Sequence, residues 1–130
     1  MAGALEGIQI LDLTSVGFGP YACQILGDYG AEVIKIEAPE GDITRGIAPF
    51  KNKGMGHFFI NANRNKRSLI LDLKNKKGKA AFFKLVEKSD VVMTSIRPAA
   101  MERLGIGFTT CKQINPSLIY VALVGFGQSG

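Results

Sequence analysis

A polar, cationic loop leads directly into an apolar strand in the segment Ala62-Asn-Arg-Asn-Lys-Arg-Ser-Leu-Ile-Leu-Asp-Leu-Lys74. The leucine-rich part of this segment is typical of a strand that is buried in a parallel sheet. Three cations precede the apolar run and a fourth follows it: Arg64, Lys66, Arg67 and Lys74. Positive charge at both ends of a strand suits an anionic small molecule, and a solvated basic loop is the simpler alternative.

Outward from this segment, short apolar runs alternate with amphipathic stretches. The strand itself is predicted at residues 68–73, and other strands at 8–13, 32–37, 90–94 and 118–124. Helices are predicted at residues 20–30 and 76–88, from Pro98 to about 105, and after a capping box formed by Thr110 and Gln113. This alternation predicts an α/β fold, with a Rossmann-like, mainly parallel sheet and flanking helices.

Loops and isolated reactive residues are less informative. Six glycines and prolines punctuate residues 38–58, which predicts a long irregular excursion. The only histidine, His57, lies there without a neighbouring acid or cysteine, and we expect a surface residue. Cys23 and Cys111 belong to no Cys-x-x-Cys pair and are predicted to be buried free thiols. No metal site is predicted.

The 130 residues fit one domain with a core of its own. The net charge of +5 divides unevenly, with one lysine against seven acids in residues 1–44 and fifteen cations against four acids in residues 45–112. A basic excess attracts nucleic acid, membrane surfaces or phosphorylated small molecules, but no base-reading motif accompanies it. No uncharged run approaches the roughly 18 apolar residues of a membrane span, and the beginning lacks a secretory signal. We expect a cytoplasmic protein, with mitochondria and peroxisomes as alternatives.

One glycine motif permits a different ligand. Gly17-x-Gly19-x-x-Ala22 matches the dinucleotide fingerprint, and Glu37 ends the second predicted strand where a ribose-binding acid would lie. Three residues separate the first strand from Gly17, and the following helix is short for a nucleotide-binding unit. A nicotinamide or flavin site therefore stays the weaker interpretation.

Eight motifs together resemble the amino-terminal part of the family III coenzyme A transferases, of the formyl-CoA and carnitine type. The motifs are Leu5-x-Gly-Ile-x-Ile-Leu-Asp-Leu-Thr, Gly19-Pro-Tyr-Ala, Gly30-Ala-Glu-Val-Ile-Lys-Ile-Glu, Asp42-x-Thr-Arg-Gly, Asn63-Arg-Asn-Lys-Arg-Ser-Leu-x-Leu-Asp-Leu-Lys, Met101-Glu-Arg-Leu-Gly, Asn115-Pro-x-Leu-Ile-Tyr and Gly125-Phe-Gly-Gln-Ser-Gly. The resemblance implies that residues 1–130 are the Rossmann-like, CoA-binding domain of a protein about three times as long. It also implies an interlocked homodimer.

The resemblance further implies a reaction and its substrates. Such enzymes move CoA from an acyl-CoA donor to a carboxylic acid through an aspartyl-CoA thioester, so CoA is a substrate rather than a tightly bound cofactor. The nucleophilic aspartate of the family follows the motif that begins at Gly125 and lies beyond Gly130. We therefore expect no catalytic residue within these 130 residues, and no activity from them alone.

The family's CoA contacts can be carried over residue by residue. They fall on Val16, Gly17, Phe18, Leu71, Asp72, Leu73, Lys74, Ser95, Ile96, Arg97 and Arg103. The cations among them suit the phosphate groups of CoA. This sequence departs from the family at Ala38, where some members have an arginine, and at Ser95-Ile96, where Asn-Phe is more usual.

Two alternatives share this amino-terminal pattern. One is an α-methylacyl-CoA racemase, which transfers a proton next to the thioester carbonyl and whose acid/base pair would also lie beyond Gly130. The stretch from Asp42 to Asn65, longer than the corresponding racemase loop, and the Asn63-Arg-Asn-Lys-Arg-Ser motif favour the transferase. The other alternative is a CoA-binding module without catalysis.

Overall fold

The computed structural model describes residues 3–127 as an all-parallel sheet of five strands with helices on both faces, which confirms the predicted α/β class. The strands are β1 (Gln9–Leu13), β2 (Glu32–Glu37), β3 (Lys66–Ile70), β4 (Val91–Thr94) and β5 (Ile119–Ala122). The helices are α1 (Phe18–Asp28), α2 (His57–Ala62), α3 (Lys76–Val86), α4 (Pro98–Leu104) and α5 (Phe108–Ile114). The strand order is β3-β2-β1-β4-β5, so the connections reverse direction between β1 and β4.

Two apolar clusters, one on each face of the sheet, make the core. Leu11 and Leu13 of β1 point to the face that carries Phe82 and Val86 of α3, and the same cluster reaches α4 and α5. Ile10 points to the opposite face, which α1 covers. This division follows from the alternation of side chains along a strand. None of the helices in residues 3–127 has the length and apolar character that crossing a membrane requires.

The inward face predicted for α3 is confirmed, because Phe82 and Val86 are fully buried and Leu85 is partly buried, while Lys77, Lys84 and Lys88 are exposed. The helix ends at Val86, earlier than predicted. Other boundaries differ from the predicted ones.

β3 begins at Lys66 and ends at Ile70, earlier than predicted. The amide of Leu71 still donates to the carbonyl of Glu37 at 2.9 Å. The Asp72 carboxylate then accepts the amide of Lys74 at 3.0 Å and turns the chain out of the sheet.

The predicted capping box is wrong. α5 begins at Phe108, with Gly107 as its N-cap and no side-chain cap. Packing explains the earlier start, since Ile106 is fully buried and the ring of Phe108 meets Tyr120 edge-on at 5.8 Å. Residues 128–130, the end of the last glycine motif, lie outside the described residues.

Residues 38–58 are more ordered than predicted. Asp42 caps a 3₁₀ turn (Ile43–Gly46) by accepting the amide of Thr44 at 2.9 Å. Its other carboxylate oxygen lies 3.1 Å from the buried ammonium of Lys35, out of line for a hydrogen bond. Arg45 binds both carboxylate oxygens of Glu37 at 2.7 Å and lies over the ring of Phe59. The excursion is thus fastened to the carboxyl end of β2 and to α2.

Glu37 should make stability depend on acid pH. Burial raises its pKa, but hydrogen bonds from Arg45, Ser68 and the amide of Asp42 outweigh burial and lower the pKa from 4.5 to about 2. A lowered folded-state pKa gives stabilisation that is complete above pH 4.5 and is lost as the pH falls toward 2. We expect the free energy of unfolding to drop by roughly 1.5–3 kcal/mol over this window.

Urea unfolding at stepped pH measures this drop, with Glu37→Gln as the comparison. The glutamine variant should be less stable at neutral pH and should lose less stability on acidification. Parallel pH profiles for the two proteins would contradict the assignment to Glu37.

Candidate functional site

The carboxyl ends of the parallel strands open onto one edge of the sheet, where ligands of such folds bind. A groove of about 540 Å³ lies there between the ends of β1 and β4, and we call it the switch-point groove. It is lined by Ser15, Val16, Gly17, Phe18, Gly19, Ser95 and residues 122–125. Four of the predicted CoA contacts therefore meet in one place: Val16, Gly17, Phe18 and Ser95.

The loop after β1 is fastened at three successive backbone groups. The amide of Thr14 donates to the buried carboxylate of Asp12 at 2.8 Å. The carbonyl of Thr14 accepts the ammonium of Lys35 at 2.9 Å. The amide of Ser15 donates to the hydroxyl oxygen of Ser95 at 3.0 Å. The chain therefore enters the groove in a defined conformation.

Val16, the next residue, has a φ of 68°, in the left-handed region. For a β-branched residue this conformation is an outlier that costs about 1–3 kcal/mol. Surrounding contacts must supply that energy, and the three fastened groups just before Val16 are in position to do so. Strained residues of this kind cluster at ligand sites.

Two residues of the dinucleotide fingerprint, Gly19 and Glu37, have structural roles here. A Cβ added at Gly19 would lie 2.4 Å from the Cβ of Thr14, so Gly19 is required where α1 packs on the end of β1. Both carboxylate oxygens of Glu37 are occupied by Arg45 and Ser68, and Glu37 is only 5% exposed. Glu37 is thus poorly placed to bind a ribose, which disfavours the nicotinamide interpretation.

A second groove, of about 310 Å³, lies along the same edge; we call it the outer groove. It is lined by residues 38–40, residues 71–74, Ile96 and Leu104. It therefore contains the predicted contacts Leu71, Asp72, Leu73, Lys74 and Ile96. Because Ile96 follows Ser95 directly, one short loop after β4 reaches both grooves.

The two remaining predicted contacts lie beside the outer groove rather than in its lining. Arg97 is the N-cap of α4 and Arg103 lies in its last turn, and both are exposed. Each is next in the chain to a lining residue, Ile96 or Leu104. Within residues 3–127, neither these arginines nor Lys74 make an ion pair. These three cations are available to an anionic ligand.

The other cations of the opening segment are each paired with a carboxylate, which corrects the expectation of three unpaired charges at the entrance to β3. Lys66 is buried against Asp12 at 2.8 Å, and burial lowers its pKa. Arg64 pairs with Asp28, and Arg67 pairs with Glu32. Lys66 therefore belongs to the core of the fold, while the two arginines form ion pairs on the exposed surface.

Comparison with known proteins identifies the family of the chain. The sequence model of CoA-transferase family III matches residues 5–130. The chain belongs to this family. It is 43% identical to the succinyl-CoA:mesaconate CoA-transferase of Haloarcula hispanica over 97% of its length, and 42% identical to the formyl-CoA:oxalate CoA-transferase of Streptomyces coelicolor over 98%. The chain spans about a third of the length of these curated relatives, 33% and 31%.

A solved family member has the same fold. The CAIB/BAIF family protein from Brucella suis superposes on the whole chain with a TM-score of 0.95 at 35% identity, and the chain covers 35% of that protein. The assignment of individual residues in this family III chain to CoA stays a prediction. Of the family departures, Ala38 lies in the outer groove, and Ser95 and Ile96 line the switch-point and outer grooves.

The remaining candidates for chemistry have structural roles in this family III chain. Cys23 and Cys111 are buried free thiols, as predicted, and burial raises the pKa of Cys23 to about 12 and that of Cys111 to about 11. Asp42 caps the 3₁₀ turn. Asp12 is fully buried and pairs with Lys66. Within residues 3–127 no group of His, Cys, Asp or Glu could hold a metal ion.

Sequence reasoning missed Gly78, which the outer groove needs. Gly78 lies in the first turn of α3, and its amide donates to the N-cap side chain of Asn75 at 2.7 Å. An added Cβ would lie 2.0 Å from the carbonyl oxygen of Asp72, which lines the outer groove. The one sequence signal was a glycine inside a predicted helix, where glycine is unfavourable.

Gly78→Ala should therefore destabilise the protein by about 1–3 kcal/mol, because the turn through Asp72 must move away from α3. The same movement should weaken ligand binding in the outer groove. Thermal unfolding and CoA titration measure the two effects. Gly46→Ala is the control, since a Cβ at Gly46 meets nothing within 4 Å. Equal stability of the two variants would contradict this role.

Proposed function

We propose that residues 5–130 are the CoA-binding region of an enzyme that transfers CoA from an acyl-CoA to a carboxylic acid. The observation that supports the proposal is that the predicted CoA contacts lie together at one edge of the sheet. Runs of predicted contacts after β1, β3 and β4 line two grooves that the loop at Ser95 and Ile96 joins. Three cations without ion pairs in residues 3–127 lie in or beside the outer groove.

The linings suit the parts of CoA. Lys74, Arg97 and Arg103 can make charge-assisted hydrogen bonds to its phosphates. The outer groove also contains the carboxylate of Glu40, which can accept hydrogen bonds from ribose hydroxyls or from the amino group of adenine. A long, polyanionic ligand with a polar head therefore fits better than a simple anion.

The proposed reaction exchanges one thioester for another. The acyl-CoA releases its acyl group as a carboxylate, and the acceptor carboxylate leaves as a new acyl-CoA. In the resembled mechanism an aspartate attacks the donor thioester and forms a mixed anhydride while CoA leaves as a thiolate. The thiolate then attacks the aspartyl carbonyl, which releases the donor carboxylate and leaves an aspartyl-CoA thioester from which CoA passes to the acceptor in the same way. That aspartate is expected outside residues 1–130, so these residues alone should bind CoA but should not catalyse its transfer.

Titration calorimetry on the full-length protein tests the binding step. CoA should bind, and NAD should not bind at the same concentrations. NAD binding without CoA binding would overturn the proposal.

Mass spectrometry tests the reaction. Full-length protein incubated with acyl-CoA donors and free carboxylic acids should form the acyl-CoA of the acceptor. Inversion of a 2-methylacyl-CoA without any exchange would point to racemase chemistry and would contradict transfer.

We also propose that the full-length protein is a homodimer, as the resemblance implies. Phe18, Tyr21, Ile25 and Tyr29 form an exposed apolar stripe along α1, with exposed fractions from 37% to 79%. Such a stripe is normally covered by other protein. We expect dimers of the full-length protein in light scattering, and self-association of the isolated 130-residue chain. Monodisperse monomers in both samples would contradict this assembly.

A further inference from the structure

We infer that Ser95 is a positioning residue, whose hydroxyl oxygen holds the loop after β1 so that the backbone of Val16 and Gly17 faces the ligand. The inference rests on the proposed function and assigns Ser95 a different role from the direct CoA contact that the family resemblance implies.

Ser95 is well anchored for this role. Thr94, the last residue of β4, is paired in register with Leu13, the last residue of β1. The loops after both strands therefore leave the sheet side by side. The hydroxyl of the buried Thr94 accepts the amide of Ile96 at 3.1 Å, which fixes the chain on the far side of Ser95. The bond from Ser15 to Ser95 then joins the two loops at 3.0 Å.

The loop that Ser95 holds is one that would otherwise relax. Val16 follows Ser15 directly and has its φ at 68°, which a β-branched residue avoids. Releasing the amide of Ser15 would remove one of the three backbone contacts just before this residue. Val16 could then return to a common conformation and rotate the adjoining peptide groups.

The conformation of Val16 matters because it orients the neighbouring backbone amides. The amides of Val16, Gly17, Phe18 and Gly19 have no hydrogen-bond acceptor within residues 3–127, and all four residues line the switch-point groove. A bound ligand can therefore accept from them only while the loop keeps its shape. Ser95 acts on that shape, and its oxygen is already engaged by Ser15.

A pair of isosteric substitutions tests the role of the hydroxyl. Ser95→Thr and Ser95→Val introduce side chains of the same size and shape. Threonine keeps the acceptor oxygen, and valine has a methyl group in its place. In the full-length protein, Ser95→Val should weaken CoA binding and raise the KM for acyl-CoA about five- to tenfold, with kcat nearly unchanged. Ser95→Thr should stay within about twofold of wild type. Amide exchange at Ser15 should accelerate in the valine variant alone.

A double-mutant cycle separates positioning from direct contact. Glycine adopts the left-handed conformation without strain, so in a Val16→Gly background the loop can keep this conformation without the hydrogen bond to Ser95. In that background, adding Ser95→Val should weaken CoA binding by less than about twofold. A further five- to tenfold loss in that background would indicate a direct contact and would overturn the inference. Ser117→Ala, which removes a hydroxyl bonded to Asn115, is the matched control and should leave CoA affinity unchanged.

The outcomes distinguish this inference from the function on which it rests. Wild-type protein that binds CoA, together with a Ser95→Val variant of equal affinity, would overturn the positioning role and leave the proposed function intact. Wild-type protein that binds no CoA would overturn both.

Discussion

Lys66→Met should destabilise the protein by about 3–5 kcal/mol, because it leaves a buried carboxylate without its cation. Only 2% of the Lys66 side chain is exposed, and none of the Asp12 side chain. The ammonium also donates to the carbonyl of Pro20 at 2.7 Å and to the side chain of Asn63 at 2.8 Å. Methionine fills the same space but satisfies none of these acceptors. A loss of this size is a large part of the total stability of an ordinary domain.

Urea unfolding followed by circular dichroism measures the loss. Lys84→Met is the control, since Lys84 is exposed on α3, and it should change stability by less than about 0.5 kcal/mol. Replacing both partners, as in Lys66→Met with Asp12→Leu, should recover part of the loss because no buried charge is then left unpaired. A Lys66→Met variant as stable as Lys84→Met would show that the buried pair contributes nothing.

Lys74→Ala and Arg97→Ala should each weaken CoA binding by roughly ten- to a hundredfold in the full-length protein. One charge-assisted hydrogen bond to a phosphate contributes about 1.5–3 kcal/mol, which corresponds to that range. Lys74 lines the outer groove, and Arg97 follows the lining residue Ile96. Calorimetric titration with CoA and with dephospho-CoA measures the effect and identifies the phosphate.

A side chain that contacts the 3′-phosphate should matter much less for dephospho-CoA, and one that contacts the pyrophosphate should matter equally for both ligands. Lys88→Ala is the control, because it removes the same charge from the exposed surface just beyond α3. Unchanged affinity of both variants for both ligands would show that these cations are solvated and do not contact CoA.

The sequence predicted the five strands and four of the five helices of residues 3–127 because these elements carry local signals, whereas α2 (His57–Ala62) was missed. The alternation of apolar runs located all five strands within a few residues, and Gly105 ends α4 in the left-handed conformation expected of a helix stop. The predicted contacts also proved to be neighbours at one sheet edge. Strand ends of a parallel sheet meet by topology, so spacing along the chain was sufficient.

What the sequence did not reveal depends on contacts between distant residues. Lys66 was interpreted as a free cation because its partner, Asp12, lies 54 residues earlier and meets it only through the register of three strands. Gly78 was missed because its need for space comes from the carbonyl of Asp72, which reaches it through tertiary packing. The start of α5 depends likewise on the burial of Ile106. Local sequence patterns do not indicate which distant residues will meet in the fold.

The strand order also sets how the sheet can assemble during synthesis. Among the five described strands, β1 is made first and lies at the centre, so each later one adds to an edge that already exists. β2 adds to β1 and β3 to β2, and then β4 adds to the other side of β1 and β5 to β4. No strand of residues 3–127 has to enter between two strands that are already paired. A nascent chain can therefore extend its sheet outward, first in one direction and then in the other, as it leaves the ribosome.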